Sequence, residues 1–121
     1  MSTASPRLNL VVLRSPDIER AANFYTRLGL HFTRHAHGTG PEHYDSVVNG
    51  LVFEIYPATE KSGPTTGTRI GFIVPSVDDL MPLVVEQGAK VLTPPTDSEW
   101  GRRAVIKDLD GHTVELVTPC A

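Results

Sequence analysis

The chain has 121 residues, 40% of them hydrophobic, which is enough for one domain with one apolar core. Eleven basic and fourteen acidic side chains give a formal charge of −3, which argues against nucleic acid as a partner because phosphate binding favours a basic excess. No apolar run approaches membrane-spanning length, and residues 1–10 lack the features of a signal peptide. The single Cys120 excludes an intrachain disulfide. We therefore expect a soluble cytoplasmic protein.

The first half of the chain predicts a strand, a helix and three further strands. Residues 8–14 read LNLVVLR, a run typical of a buried strand. Ser15 then suits the N-cap of a helix, Pro16 its first position and Gly29 its C-terminal cap. Apolar residues recur at helical spacing between these caps. The strands after the helix are predicted near 30–36, 43–49 and 51–57.

The second half repeats this order after a segment of turn-forming residues, EKSGPTTGT, at 60–68. A helix is predicted from about Ser76 to Gln87, ending at Gly88. Pro82 conflicts with that start because an interior proline loses a hydrogen bond, so a start nearer Asp78 or Asp79 would place it in the first turn. The strands of this half are predicted at 69–74, 89–93, 102–107 and 112–118.

The two halves match in register as well as in order. Gly29 and Gly88 end the two predicted helices, and Glu54 and Glu115 occupy matching places in the last strand of each half. The chain therefore predicts a single α+β domain of two tandem βαβββ modules. The modules span about 8–57 and 68–118, with a linker at about 58–67.

Charged side chains share one face of each predicted sheet. Because strand residues alternate between faces, Glu54 and Tyr56 share a face opposite the apolar residues of their strand. Glu115 and Arg69 lie on the corresponding faces of the second module. The apolar faces can pack on the helices, so the charged faces would line a cavity in a curved mixed sheet. An unpaired carboxylate there is costly, so Glu54 should have a partner.

Two stretches, LVVLRSPDIERAANFYTRLGLHF and GRRAVIKDLDGHTVELV, resemble the glyoxalase / bleomycin-resistance / extradiol-dioxygenase group, the vicinal oxygen chelate superfamily. The second stretch is similar to that family's D-P-D-G-x-x-x-E-L ending, with Leu109 in place of proline. The resemblance implies the duplicated βαβββ fold and a homodimer. It does not imply one reaction, because the family includes isomerases, lyases, dioxygenases and drug-binding proteins.

The resemblance also implies four metal-ligand positions, one on the first and one on the last strand of each module. Glu54 and Glu115 match the two acidic positions, but Arg69 and Leu10 (Asn9 if the strand slips by one residue) stand at the other two. Neither leucine nor arginine binds a metal. We predict that Arg69 pairs with Glu54, Glu115 or both and supplies the metal's charge, so no metal cofactor is favoured. A divalent metal on Glu54 and Glu115 that recruits other residues remains an alternative, as do glutamates that simply face water.

Three histidines lie in the segment HAHGTGPEHYD, residues 35–45. His35 and His37 are predicted to be solvated turn residues. His43 has two interpretations: it borders the cavity as a ligand-binding or acid–base group, or it is solvated as well. Tyr44 points to the face opposite His43 and is the other ligand-binding candidate here. In the second module, His112 of the Asp-Gly-His turn is predicted to be structural.

The only tryptophan precedes a strand entry in SEWGRRAV, residues 98–105. Arg102 and Arg103 point to opposite faces, so only one can face the cavity. Trp100 and that arginine, assigned as Arg103, would form a lip that stacks on and neutralises an anionic ligand. In the alternative, Trp100 covers the core at the sheet edge and both arginines are solvated.

These observations favour a protein that lacks the usual divalent metal and binds a small, anionic molecule. Its candidate ligand-binding residues are Arg69, His43, Tyr44, Tyr56, Trp100 and Arg103. The alternative is a metal-dependent lyase, isomerase or dioxygenase acting on a substrate with adjacent oxygens, with Glu54, Glu115 and His43 as candidate catalytic groups. A third class is an accessory domain that mainly dimerises.

Overall fold

Two four-stranded mixed sheets and two helices make up the fold, which confirms the predicted α+β class and the duplicated βαβββ order. The computed structural model describes residues 5–36 and 38–120. Neither helix of these described ranges is long and apolar enough to cross a bilayer. The elements are β1 (Leu10–Ser15), α1 (Ile18–Leu28), β2 (Thr33–His35), β3 (His43–Val48), β4 (Leu51–Pro57), β5 (Arg69–Ile73), α2 (Val77–Glu86), β6 (Lys90–Ser98), β7 (Gly101–Lys107) and β8 (Thr113–Thr118).

Each module forms its own sheet with the same strand order. The first sheet runs β1-β4-β3-β2 and the second β5-β8-β7-β6. In each, the first strand is parallel to the last, because a helix carries the chain across between them, and the other pairs are antiparallel. Asp45 is paired with Glu54 in the first sheet, and Glu115 lies between Gly71 and Val105 in the second.

One apolar core joins the two modules. The ring of Tyr25 in α1 lies 5.2 Å from Phe53 of the first sheet and 6.1 Å from Phe72 of the second. Phe53 and Phe72 also meet edge to face at 5.9 Å. The inner face of each sheet therefore packs on the helices, which leaves the opposite faces for the charged residues. Other large apolar side chains that are fully buried include Phe24, Leu13, Ile55, Ile106, Leu116, Val77, Val84 and Val114.

The first helix begins two residues later than predicted. Asp17, not Ser15, is the N-cap, and its carboxylate accepts a hydrogen bond from the backbone N–H of Arg20 at 3.0 Å. Ser15 ends β1, and its hydroxyl accepts from the N–H of Asp17. Pro16 therefore lies in the connection between β1 and α1, outside the helix. Asp17 caps the helix because its carboxylate reaches the third helical N–H. Gly29 ends the helix in the left-handed region, as predicted.

The second helix contains Pro82 in its interior. Ser76 is the N-cap and its hydroxyl accepts from the N–H of Asp79 at 3.1 Å, so the helix begins at Val77. The suggested start at Asp78 or Asp79 is therefore wrong. The N–H of Val77 also donates to the hydroxyl of Thr118, which fixes this start against β8. The cap and this contact offset the hydrogen bond that the proline removes.

Strand β6 is longer than predicted and contains two prolines. It spans Lys90–Ser98 instead of 89–93, and it includes Pro94 and Pro95. Its pairing with β7 shifts register between Val91 and Thr93 and again between Thr93 and Thr96. An edge strand tolerates prolines because their missing N–H groups need not face a partner strand.

A buried carboxylate joins α1, the linker and the β7–β8 turn. The Oδ2 atom of Asp108 accepts from the Tyr25 hydroxyl at 2.6 Å and lies 2.7 Å from Nδ1 of His112. Its Oδ1 atom accepts from the backbone N–H groups of Asp110 and His112, both at 2.9 Å. The other ring nitrogen of His112 is 2.6 Å from the hydroxyl of Thr65 in the linker. His112 is thus a buried structural residue, as predicted.

We expect Asp108→Asn to lower the free energy of unfolding by about 2–4 kcal/mol at pH 7, because it removes a buried hydrogen-bonded charge. Burial opposes ionisation, but hydrogen bonds from His112 and Tyr25 hold the pKa of Asp108 below its usual 3.8. The charged form therefore stabilises the fold above pH 3.8, and this contribution is lost as pH falls through the lower folded pKa.

Urea unfolding at pH 7 and at pH 2.5 checks this expectation. The control is Asp97→Asn, which makes the same change on a side chain that is 90% exposed. A loss for Asp108→Asn no larger than for the control at pH 7, or one that persists undiminished in acid, would contradict the role of the buried carboxylate.

Candidate functional site

Two arginines converge on Glu115 on the outer face of the second sheet. Nε of Arg69 donates to Oε2 of Glu115 at 3.1 Å, and a terminal nitrogen of Arg69 lies 3.1 Å from the same oxygen. Nε of Arg103 donates to the other oxygen, Oε1, at 2.5 Å. The register explains this arrangement. Gly71 is the direct β5 neighbour of Glu115, Arg69 lies two residues earlier on the same face, and Arg103 is paired with Val117 two residues later.

This cluster carries more positive than negative charge. Two guanidinium groups face one carboxylate, and the hydrogen bond from Arg103, with that from Arg69, holds the pKa of Glu115 below its usual 4.5. The guanidinium of Arg69 is exposed, and Gly71 places no side chain over the carboxylate. A cavity of about 260 Å³ opens beside Glu115, lined by Gly71, Phe72, Ile73, Glu115 and Val117. The second sheet therefore offers a basic, open site next to apolar side chains.

Glu54 has a different set of neighbours on the first sheet. Its Oε2 lies 3.5 Å from Nε2 of His43, and that nitrogen lies 3.8 Å from Oδ2 of Asp45. The other oxygen of Asp45 is 3.2 Å from Nε2 of His35. Arg69 thus pairs with Glu115 alone, one of the outcomes predicted for it, and the neighbours of Glu54 are His43 and Asp45. Glu54 is not among the residues that line the cavity beside Glu115.

His43 is almost fully buried, with 1% of its surface exposed, so its interpretation as a solvated residue is wrong. Its ring stacks on Tyr56 with centroids 4.2 Å apart and planes 9° apart. The prediction of a solvated turn for His35 is also wrong, because His35 ends β2 and contacts Asp45. His37, assigned to the same turn, lies outside the described residues.

The other residues considered for the site lie in separate parts of the structure. Tyr44 lies on the opposite face of β3 from His43, where its ring meets Phe32 at 6.3 Å and its hydroxyl accepts from Arg34 at 3.2 Å. Trp100 is exposed in the β6–β7 turn instead of covering the core. Arg102 points away from Glu115 and bonds Asp78 and Asp97.

Sequence reasoning missed Asp45, which the structure places between His35 and His43. A signal was present, because Asp45 follows His43 by two residues on a predicted strand and therefore shares its face. Only the cross-strand register with Glu54 brings the three groups together, and the sequence does not give that register.

The residues at the four family ligand positions do not fit a metal. Leu10 has no donor atom, and Arg69 carries a positive charge that hydrogen-bonds Glu115. Of the four positions, only Glu54 and Glu115 carry a metal-binding atom. This set therefore does not supply the ligands of a transition-metal centre, which needs three or four.

The family model for the Glyoxalase/Bleomycin resistance protein/Dioxygenase superfamily matches residues 7–116. The chain belongs to this superfamily. The comparison with curated proteins found no match to this chain.

Solved structures with the same fold are distant in sequence. The hypothetical protein SA1046 from S. aureus is 23% identical with a TM-score of 0.77, over 96% of this chain and 95% of its own. TnmS3, an antibiotic binding protein from Streptomyces sp. CB03234, is 22% identical with a TM-score of 0.77, over 98% of this chain and 100% of its own. A family enzyme from Burkholderia phytofirmans PsJN is 17% identical with a TM-score of 0.75, over 95% of this chain and 100% of its own. At these identities the likeness shows the fold alone.

Proposed function

We propose that this family member binds a small anionic molecule on the outer face of its second sheet, without a metal at the four family positions. The observation that carries the proposal is the convergence of Arg69 and Arg103 on the single carboxylate of Glu115. One carboxylate neutralises only one guanidinium, so the cluster keeps a net positive charge. Arginine retains donors beyond those that Glu115 occupies, and these suit a carboxylate, sulfonate or phosphate group.

The surroundings favour an anion with an apolar portion. Ile73 and Val117 line the cavity beside Glu115, and Ile73 is largely exposed. Trp100 remains the predicted stacking residue at the lip, and it is exposed at the turn that leads into the strand of Arg103. The fold of TnmS3, an antibiotic binding protein, is compatible with such a role.

We also propose that a second copy of the chain covers these faces. Val47 of the first sheet and Ile73 of the second are 74% and 78% exposed, on the same faces as Glu54 and Glu115. Exposed aliphatic side chains on the charged outer face of each sheet favour an interface between copies of the chain.

A metal-dependent lyase, isomerase or dioxygenase that uses the four family positions is not favoured, because Leu10 and Arg69 supply no ligand. Glu54, Glu115 and His43 remain predicted acid–base groups, and the binding of an anion does not depend on that role. An accessory dimerisation domain is less favoured, because it would have no use for two arginines beside an open cavity.

Sedimentation of the protein at micromolar concentration tests the pairing. We expect a dimer, and we expect Val47→Asp or Ile73→Asp to shift it to monomers by burying a charge in an apolar contact. Val85→Asp is the control, since Val85 is also an exposed aliphatic residue, at 47%, but lies on α2. A monomeric wild type, or dissociation by the control alone, would contradict the interface.

Fluorescence titration with anilinonaphthalene sulfonate, an anionic aromatic probe, tests the binding site. Arg69→Gln and Arg103→Gln should each weaken the probe's affinity about tenfold, because each removes a charge-assisted contact. Binding of the neutral analogue N-phenylnaphthylamine should change little.

The matched control is Arg102→Gln, which removes the same charge from the neighbouring residue on the opposite face of β7. Equal weakening by Arg102→Gln would show that only net charge matters. No weakening by Arg69→Gln and Arg103→Gln would refute the proposed site.

A further inference from the structure

Three potential metal ligands meet on the outer face of the first sheet. A nitrogen of His43 and carboxylate oxygens of Asp45 and Glu54 all lie within 4.8 Å of one another. His43 and Asp45 come from β3 and Glu54 from β4, so the cluster is built within one module. Its composition differs from the four-strand set of the family, with which it shares only Glu54. It also lies apart from the arginine site, so its function does not rest on the proposed anion binding.

The spacing of these atoms suits ligands around a shared ion. Nε2 of His43 lies 3.5 Å from an oxygen of Glu54 and 3.8 Å from an oxygen of Asp45. Two ligand atoms that are each about 2.1 Å from one metal ion stand roughly 3.0–3.4 Å apart. A contraction of a few tenths of an ångström would therefore bring His43 and either carboxylate to the spacing of ligands on one ion.

The orientation of His43 favours a lone pair directed at the two carboxylates. Its Nδ1 lies 3.3 Å from the carbonyl oxygen of Pro41, and a carbonyl only accepts, so we assign the ring proton to Nδ1. Nε2 then faces Asp45 and Glu54 as an acceptor. Stacking on Tyr56 fixes the plane of the ring. Such outer contacts are typical of histidines that bind metals.

The charges of the cluster call for a cation. Asp45 and Glu54 are directly paired across two strands, and like charges in that position repel. Arg14 lies over the ring of Tyr56 at 5.4 Å and donates to the carbonyl of Pro57. His35 contacts the far oxygen of Asp45, which leaves its second oxygen toward His43. Two carboxylates therefore face the buried imidazole of His43, with His35 on the far oxygen of Asp45.

The donor set selects the class of ion. One imidazole nitrogen with two carboxylate oxygens suits first-row divalent metals, whereas Mg²⁺ and Ca²⁺ prefer oxygen ligands alone. In the single chain the side chains of Asp45 and Glu54 are 20% and 15% exposed, which gives water access to complete the coordination. We infer that His43, Asp45 and Glu54 form a binding site for one first-row divalent cation per chain.

Calorimetric titration of the full-length, chelator-stripped protein with Zn²⁺ and with Co²⁺ tests this site, and the visible absorption of Co²⁺ reports its ligands. We expect one ion per chain, and at least about tenfold weaker binding in His43→Gln, Asp45→Asn and Glu54→Gln. Glu115→Gln is the matched control, because Glu115 belongs to the family set but not to this cluster. Arg69→Gln separates the site from the proposed anion site, and neither control should change the affinity.

Circular dichroism of each metal-free variant shows whether it folds. If replacement of the buried His43 prevents folding, the metal affinities of Asp45→Asn and Glu54→Gln test the site. Both variants change partly exposed groups. Absence of binding to the wild type, or affinity insensitive to Asp45→Asn and Glu54→Gln, would overturn the inference. Equal loss of metal affinity in Glu54→Gln and Glu115→Gln, with no loss in Asp45→Asn, would also overturn it. That result would show that the metal binds at the family positions.

Discussion

The buried carboxylate of Asp108 is the constraint on which the arrangement of the two modules depends. It receives four hydrogen bonds from three residues, and one of them, Tyr25, comes from the helix of the other module. His112 extends the contact to Thr65 in the linker, whose hydroxyl also accepts from the backbone N–H of Arg14 in β1. Helix, linker and both sheets are thereby fixed around one charge, with their outer faces turned away from the shared core.

The duplicated architecture carries two different sites on equivalent faces. Glu54 and Glu115 occupy matching strands, but one faces a buried histidine and an aspartate while the other faces two arginines. The first face is acidic and suits a cation, whereas the second is basic and suits an anion. Glu54 therefore lies beside a second carboxylate, whereas Glu115 lies beside two guanidinium groups.

The sequence was sufficient for the fold because caps, periodicity and the internal repeat all agree. It also predicted that Arg69 would pair with a glutamate, since strand alternation puts Arg69 and Glu115 on one face. The sequence did not predict features for which local signals compete, or features that depend on the register between strands. Ser15 and Asp17 are both good caps, and only tertiary structure selects Asp17. The contact of Asp45 with His43 needs the pairing of β3 with β4, which no local pattern specifies.

We propose that Arg69 and Arg103 form one anion site. The most direct measurement is NMR of the arginine side-chain Nε–H groups during titration with benzenesulfonate. We expect the signals of Arg69 and Arg103 to shift together and to saturate with one dissociation constant, while that of Arg102 stays in place because Arg102 is held by Asp78. Equal shifts at all three arginines, or movement of Arg102 alone, would contradict it.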